Sequence, residues 1–281
     1  MTSPANQFSR LNARFPRKRA FITGAGTGLG LELARGLAAD GWVLGLFDRN
    51  VERLATVEAS FSESGIPALA YPGDVTQSDE LTVAVNSFAA SHDGLDLMIN
   101  NAGVAAAGNL METQLEDWRW IIDVNVMGVV HGCRAALPHL QRNGAGLIIN
   151  IASAAAFASP PGMSPYNATK AAVVALSETL ASELVGAGIQ VSVVMPTYFE
   201  SGLLDSFRGP AESREAGINL MKASAYSASA LASDLLQHAA SGDLYIVLPA
   251  AARALWRFKR WLPVTFMKSV AQRYSIARRP K

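Results

Sequence analysis

The chain has 281 residues, half of them apolar and 17% charged, with 24 Lys/Arg against 23 Asp/Glu and a net charge of +1. This length and apolar content exclude a disordered chain and suit one large α/β domain or two small ones, with a substantial core. The single cysteine, Cys133, excludes an intrachain disulfide; it reads as a small buried hydrophobe in a chain suited to a reducing compartment.

Apolar runs alternate with helix-length segments along most of the sequence. A buried strand is predicted over 19–23 and a helix over 29–40, with Gly41 as its stop. A second strand follows over 42–47, a helix over 51–64 ending at Gly65, and a third strand over 66–71 closed by Pro72-Gly73. Next come a helix over 78–91, a fourth strand over 95–99, and a long helical region over 115–140 with Pro138 near its end. The fifth strand is predicted over 147–151, a helix over 165–184, and strands over 189–195 and 244–248. Residues 143–169 carry no charge, but three prolines and polar side chains interrupt them, so they are strand, loop and helix start and not a membrane span. Strands alternating with helices give parallel βαβ units, and such strands are apolar throughout because helices cover both sheet faces. The expected fold is α/β: one doubly wound domain over 19–249 with a seven-stranded parallel sheet. A basic arm (1–18) precedes it and a basic helical extension (250–281) follows.

Four motifs sit at definite places on this frame. Thr23-Gly-Ala-Gly-Thr-Gly-Leu-Gly30 joins the first strand to the first helix. Glycine permits the tight turn and lets backbone approach a pyrophosphate at the helix N-terminus, as in Rossmann-like folds. Asn100-Asn-Ala-Gly103 follows the fourth strand and Ser153 the fifth. In Tyr166-Asn-Ala-Thr-Lys170 a spacing of four puts phenol and ammonium on one helix face. Singly, each is ordinary: a loop, a loop hydroxyl, a helix edge, a solvated lysine. Together, in this order, they resemble the signature of the short-chain dehydrogenase/reductase family, over about residues 18 to 248.

The resemblance implies an NAD(P)-dependent oxidoreductase that interconverts an alcohol and a carbonyl. It implies Tyr166 as general acid in reduction and base in oxidation, and Ser153 as hydrogen-bond partner of the substrate oxygen. Lys170 would bind the nicotinamide ribose; its charge would also favour a phenolate that otherwise forms only near pH 10. Asn125, in Asp123-Val-Asn-Val-Met-Gly128, matches the position thought to hold a water in a proton relay. Cofactor contacts are implied at Gly24, Thr27, Gly28 and Leu29, at Asp74 and Val75 beside the adenine, and at Asn101, Ala102 and Gly103. Tyr166, Lys170, Pro196 and Phe199 would complete them at the nicotinamide end. Thr197 and Phe199 depart from the family's Pro-Gly and Val/Ile pattern there. Asp48, at the end of the second strand, would bond the ribose hydroxyls and repel a 2′-phosphate, which favours NAD over NADP. Arg49 beside it offers the opposite reading, a partner for that phosphate or a stack on adenine. In the family, residues equivalent to 199–225 form a mobile flap, and oligomers (homodimer or homotetramer) join through the two long helices. A non-catalytic redox sensor or regulator on the same fold is the alternative, although it has no need of the acid/base set. The four histidines lack metal-ligand spacing, so no metal is expected.

The substrate region contains Ala154, Ala155, Ala156, Phe157, Met163, Tyr198, Phe199, Leu203, Leu204 and Phe207, an apolar set that suits a hydrophobic alcohol or ketone. The charge is unevenly spread: residues 1–19 hold five basic residues, residues 250–281 hold nine, and neither segment holds an acid. The middle, 20–249, therefore has a net charge of −13. In the tail, Leu255, Phe258 and Leu262 recur at helical spacing, as do Arg253, Arg257 and Arg260, with Trp256 and Trp261 among them. Two readings of the tail stand level: peripheral docking on an anionic membrane, or packing on the acidic core or a sister subunit. The acidic core and the absence of a reading motif exclude nucleic acid as the expected partner. The first nineteen residues lack the apolar run of a secretory leader, so a cytoplasmic location is expected.

Overall fold

The structure, a computed structural model, describes residues 8–277. Residues 1–7 of the expected arm and 278–281 of the expected tail lie outside the described residues. In chain order the elements begin with α1 (Ser9–Arg14), β1 (Arg19–Thr23), α2 (Gly28–Ala39), β2 (Val43–Asp48) and α3 (Val51–Glu63). Next are β3 (Ala68–Pro72), α4 (Ser78–Ser91), β4 (Leu97–Asn100), α5 (Leu115–Ile122) and α6 (Gly128–Asn143). Then follow β5 (Gly146–Ile151), α7 (Ala155–Ala158), α8 (Ser164–Glu183), β6 (Ile189–Pro196), α9 (Ala211–Lys222) and α10 (Ala228–Ala240). The last are β7 (Tyr245–Leu248), α11 (Ala252–Trp261) and α12 (Pro263–Ala277).

The seven strands form one sheet of order β3-β2-β1-β4-β5-β6-β7, with every pairing parallel. β1, β4 and β5 are buried along their whole length, as strands covered on both faces must be. One face packs on α1, α2, α3 and α10 through residues such as Leu11, Leu33, Leu54 and Leu235. The other packs on α4, α6 and α8 through Val85, Ala136 and Val173. At the N-terminal end of the sheet, buried Arg19 pairs with buried Asp96: Nη2 to Oδ1 at 2.8 Å and Nε to Oδ2 at 3.0 Å. That pair pins β1 to the entry of β4.

Three local differences from the predicted elements have physical causes. Residues 8–15 do not extend away from the domain. Phe8, Leu11 and Phe15 lie at helical spacing and are buried, and Asp40 accepts hydrogen bonds from the Phe8 N–H and the Asn12 amide, each at 2.8 Å. The basic residues on the opposite side of α1 hid this apolar stripe. The long helix of 115–140 is interrupted by a π-helical turn, Asp123–Met127, between α5 and α6. The segment after β6 contains a 3₁₀ turn, Gly202–Leu204, and α9, on which no residue is fully buried, although Ile218 and Met221 pack on the core and Arg214 donates to the Leu204 carbonyl at 3.2 Å.

Candidate active site

β1 and β4 are neighbours whose following chain segments leave in opposite directions, which opens a crevice at their carboxyl ends. The glycine turn forms one lip. Gly24 has a left-handed backbone (φ +66), and a side-chain Cβ there would lie 2.8 Å from the Ala102 Cα. A Cβ on Gly30 would collide with the Gly24 carbonyl. The segment after β4 is sewn to this turn: the Thr23 hydroxyl accepts from the N–H groups of Asn101 and Ala102, both at 3.1 Å. The Asn101 amide donates to the carbonyls of Thr23 (3.0 Å) and Gly24 (3.1 Å). Asn101 thus fixes the shape of the turn as well as facing the crevice.

The crevice is a cavity of about 1110 Å³. Gly24, Thr27, Gly28 and Leu29 line it at the N-terminus of α2, and Asp48, Arg49, Asp74 and Val75 line its outer end. Asn101, Ala102 and Gly103 form its middle, and Ser153, Tyr166, Lys170, Pro196 and Phe199 its inner end. The sequence separated these residues by up to 175 positions; the parallel sheet gathers them along one edge. Asp48 is held in place: Oδ2 accepts from the Gly26 N–H and Oδ1 from the Asn50 N–H, both at 2.9 Å. The cleft suits an extended dinucleotide, with helix N–H groups for phosphates near its middle and a fixed carboxylate at one end.

At the inner end Tyr166 is buried, 7% exposed. Burial pushes its phenol up to about 12; a hydrogen bond with Ser153 acts in the opposite sense, and nearby Tyr198 adds a smaller rise. Ser153 is itself oriented, its oxygen accepting from the Ala155 N–H at 3.1 Å. Lys170 is also buried; its Nζ donates to the Ile151 carbonyl at 2.9 Å and lies 5.8 Å from the Tyr166 ring centre. Burial drives its ammonium down to about 8. In this state the phenol answers first to desolvation, and Ser153 is the group that lowers its pKa.

The Asn125 side chain is engaged within the protein. It is fully buried in the π-helical turn and does not line the cavity. Its Oδ1 accepts from the Val104 N–H at 2.8 Å, and its amide donates to the Val104 carbonyl (3.0 Å) and the Thr169 hydroxyl (3.2 Å). It clamps the strand-end loop to α8, the helix that carries Tyr166 and Lys170. Of the predicted apolar lining, all but Ala156 faces the cavity.

Contacts made by the flap, which the resemblance implied over 199–225, and by the tail had no clear signal in the sequence. The flap lies on the glycine turn: a Cβ on Gly202 would sit 2.8 Å from the Thr27 methyl. An ion pair between Arg53 of α3 and Asp205, at 2.8 Å, straddles the cleft. In the tail, Leu255, Phe258, Phe266 and Val270 close the inner end of the cavity. The recurring apolar residues of α11 signalled one buried face, but not which surface it would meet. Cys133 is buried as expected, and burial raises its thiol to about 12. Among the described residues, no group of three His, Cys, Asp or Glu is placed to hold a metal ion, and no helix is long and apolar enough to cross a membrane.

This doubly wound sheet with a tyrosine–lysine–serine cluster beside a dinucleotide-shaped cleft defines a class of nucleotide-linked oxidoreductase folds. The family description "short chain dehydrogenase" matches residues 18–211, and the chain belongs to that family. It is 32% identical over 190 residues to an uncharacterized oxidoreductase of Staphylococcus aureus (strain USA300), covering 68% of this chain and 81% of the relative. It is 31% identical over 190 residues to the 3-oxoacyl-[acyl-carrier-protein] reductase FabG of S. aureus (strain Mu50), covering 67% and 77%. A solved short-chain dehydrogenase/reductase from Burkholderia phymatum, in complex with NAD, superposes with a TM-score of 0.82 at 28% identity, over 94% of this chain and 96% of that one.

Proposed function

We propose that this protein is a dehydrogenase/reductase that uses NAD in preference to NADP to interconvert a hydrophobic alcohol and its carbonyl compound. The observation that carries the reading is the placement of buried Tyr166 and Lys170 beside half-buried Ser153 at the apolar end of the cleft. The same reading includes assembly as a homodimer or homotetramer and peripheral contact with a membrane through residues 250–281.

Reduction adds a hydride to the carbonyl carbon and a proton to its oxygen; oxidation removes both. The nicotinamide, when bound, supplies or accepts the hydride. The Tyr166 phenol, raised to about 12, is protonated near neutrality and is therefore ready to donate to the carbonyl oxygen. Ser153 holds that oxygen within reach of the phenol and stabilises the alkoxide as it forms. For oxidation the phenol must give up its proton, which the Ser153 hydrogen bond favours. Lys170, lowered to about 8, is still mainly charged at neutral pH. The fixed Asp48 carboxylate favours a free ribose over a phosphorylated one. Phe157, Met163, Leu203, Leu204, Phe258 and Phe266 give the substrate end apolar walls that favour a long or bulky hydrocarbon body.

The test is a spectrophotometric screen of apolar alcohols and ketones with both dinucleotides. Tyr166→Phe is expected to lower turnover by about 10²- to 10⁴-fold while leaving dinucleotide binding intact. Dinucleotide binding with no turnover on any substrate, and no effect of Tyr166→Phe, would instead identify a sensor. Turnover confined to small polar carbonyls would refute the hydrophobic assignment.

A further inference from the structure

α11 and α12 form a hairpin whose inner and outer surfaces differ. Inwardly, Phe258 meets Phe266 edge-on, ring centres 5.6 Å apart, and both line the cavity. The hairpin is tethered to the body by Arg253, which donates to the Val247 carbonyl at 3.2 Å and pairs with His238 Nε2 at 2.6 Å. Trp256 packs on Tyr245 at 5.2 Å, and Arg260 lies over both rings. Outwardly, the elbow between the helices presents Trp261, Leu262 and Val264 at 83%, 55% and 67% exposure. Exposed Arg257 and Lys268 flank that elbow. No ion pair among the described residues involves the tail, and residues 250–281 contain no acid. Leu255 lines the cavity from this same hairpin and is 46% exposed.

We infer that the Trp261–Leu262–Val264 elbow inserts into the headgroup layer of an anionic bilayer, with Arg257 and Lys268 on the lipid phosphates, and sets the cavity-lining Leu255 against the acyl region. A protruding tip of one aromatic and two aliphatic side chains ringed by cations matches an interface between charged headgroups and hydrocarbon. A protein partner fits it less well. The three side chains expose on the order of 400 Å², about half of one partner's share of a standard interface. The occupant is therefore the bilayer, and a lipophilic substrate dissolved in it enters without crossing water. Docking stands on the elbow alone; substrate entry from the bilayer rests on the oxidoreductase reading above.

The test is flotation of the full chain with vesicles of phosphatidylcholine alone and of phosphatidylcholine containing phosphatidylserine. The chain is expected to float with the mixed vesicles, less so as salt is raised. Arg257→Ala with Lys268→Ala should weaken binding by about 30-fold, two charges at roughly fivefold each. Trp261→Glu with Val264→Glu should abolish flotation without altering turnover of a water-soluble ketone, because neither residue lines the cavity. Mixed vesicles should raise the rate on a bilayer-dissolved ketone for the parent chain and not for this variant. No flotation by the parent, or flotation unchanged in the Glu variant, overturns docking. Size-exclusion showing that the Glu variant dissociates an oligomer would overturn it in favour of a second copy. Flotation without turnover of any substrate leaves docking standing and removes the oxidoreductase reading.

Discussion

Replacing Lys170 by methionine is expected to make the protein more stable and inactive. The Lys170 amine is buried, and its pKa falls from 10.5 to about 8 through desolvation. The unfolded chain therefore binds this proton more tightly than the folded one. Between the folded and unfolded values the unfolded state holds more protons, so stability rises with pH across that interval. Below about pH 8 the whole penalty is present, roughly 3 kcal/mol at about 1.36 kcal/mol for each pH unit of that fall. Methionine removes the penalty but also deletes the hydrogen bond to the Ile151 carbonyl, worth about 1 kcal/mol. The net expectation is a gain of about 2 kcal/mol at about pH 7, or roughly 4–8 °C in melting temperature for a chain of this size. At about pH 9.5 most of the penalty is already gone, and the gain should shrink toward zero. Urea denaturation of parent and variant at the two pH values reads this directly. A variant destabilised equally at both would refute the reasoning, because the lysine would then be contributing to stability and not costing it.

Asp96→Ala leaves the buried Arg19 guanidinium without its carboxylate and should cost about 3–5 kcal/mol, seen as a lower urea midpoint. Asp48→Asn removes the repulsive charge while keeping one acceptor oxygen, and should raise NADP over NAD preference on the order of tenfold or more, measured as the ratio of kcat/KM values. The Arg53–Asp205 pair is about half exposed, so Arg53→Ala should shift stability by less than about 1 kcal/mol. The same variant frees the flap, and faster dinucleotide release in stopped-flow measurement, with quicker proteolysis within 200–225, is the expected signature.

The sequence already carried the sheet, because full burial on both faces demands uninterrupted apolar strands, and runs as short and apolar as 19–23 and 147–151, each bounded by turn residues, suit little else. It carried the cleft for a related reason. In a parallel sheet the chemistry collects at the carboxyl ends of strands, so Gly24, Asp48, Asn101 and Ser153 announce their neighbourhood by each following a strand. Tyr166 and Lys170 were legible because helical spacing fixes their common face. Partner and sign were not legible, since both depend on what surrounds a group. Asn125 lies in a π-helical turn with its side chain on Val104 and Thr169, partners that no local pattern encodes. The apolar stripe of α11 was visible, but only the placement of β7 decided that Phe258 would wall the cavity while Trp261 stayed outside. Burial likewise set the phenol high and the ammonium low. Desolvation is a property of the assembled neighbourhood, whereas periodicity and strand-end position belong to the chain itself.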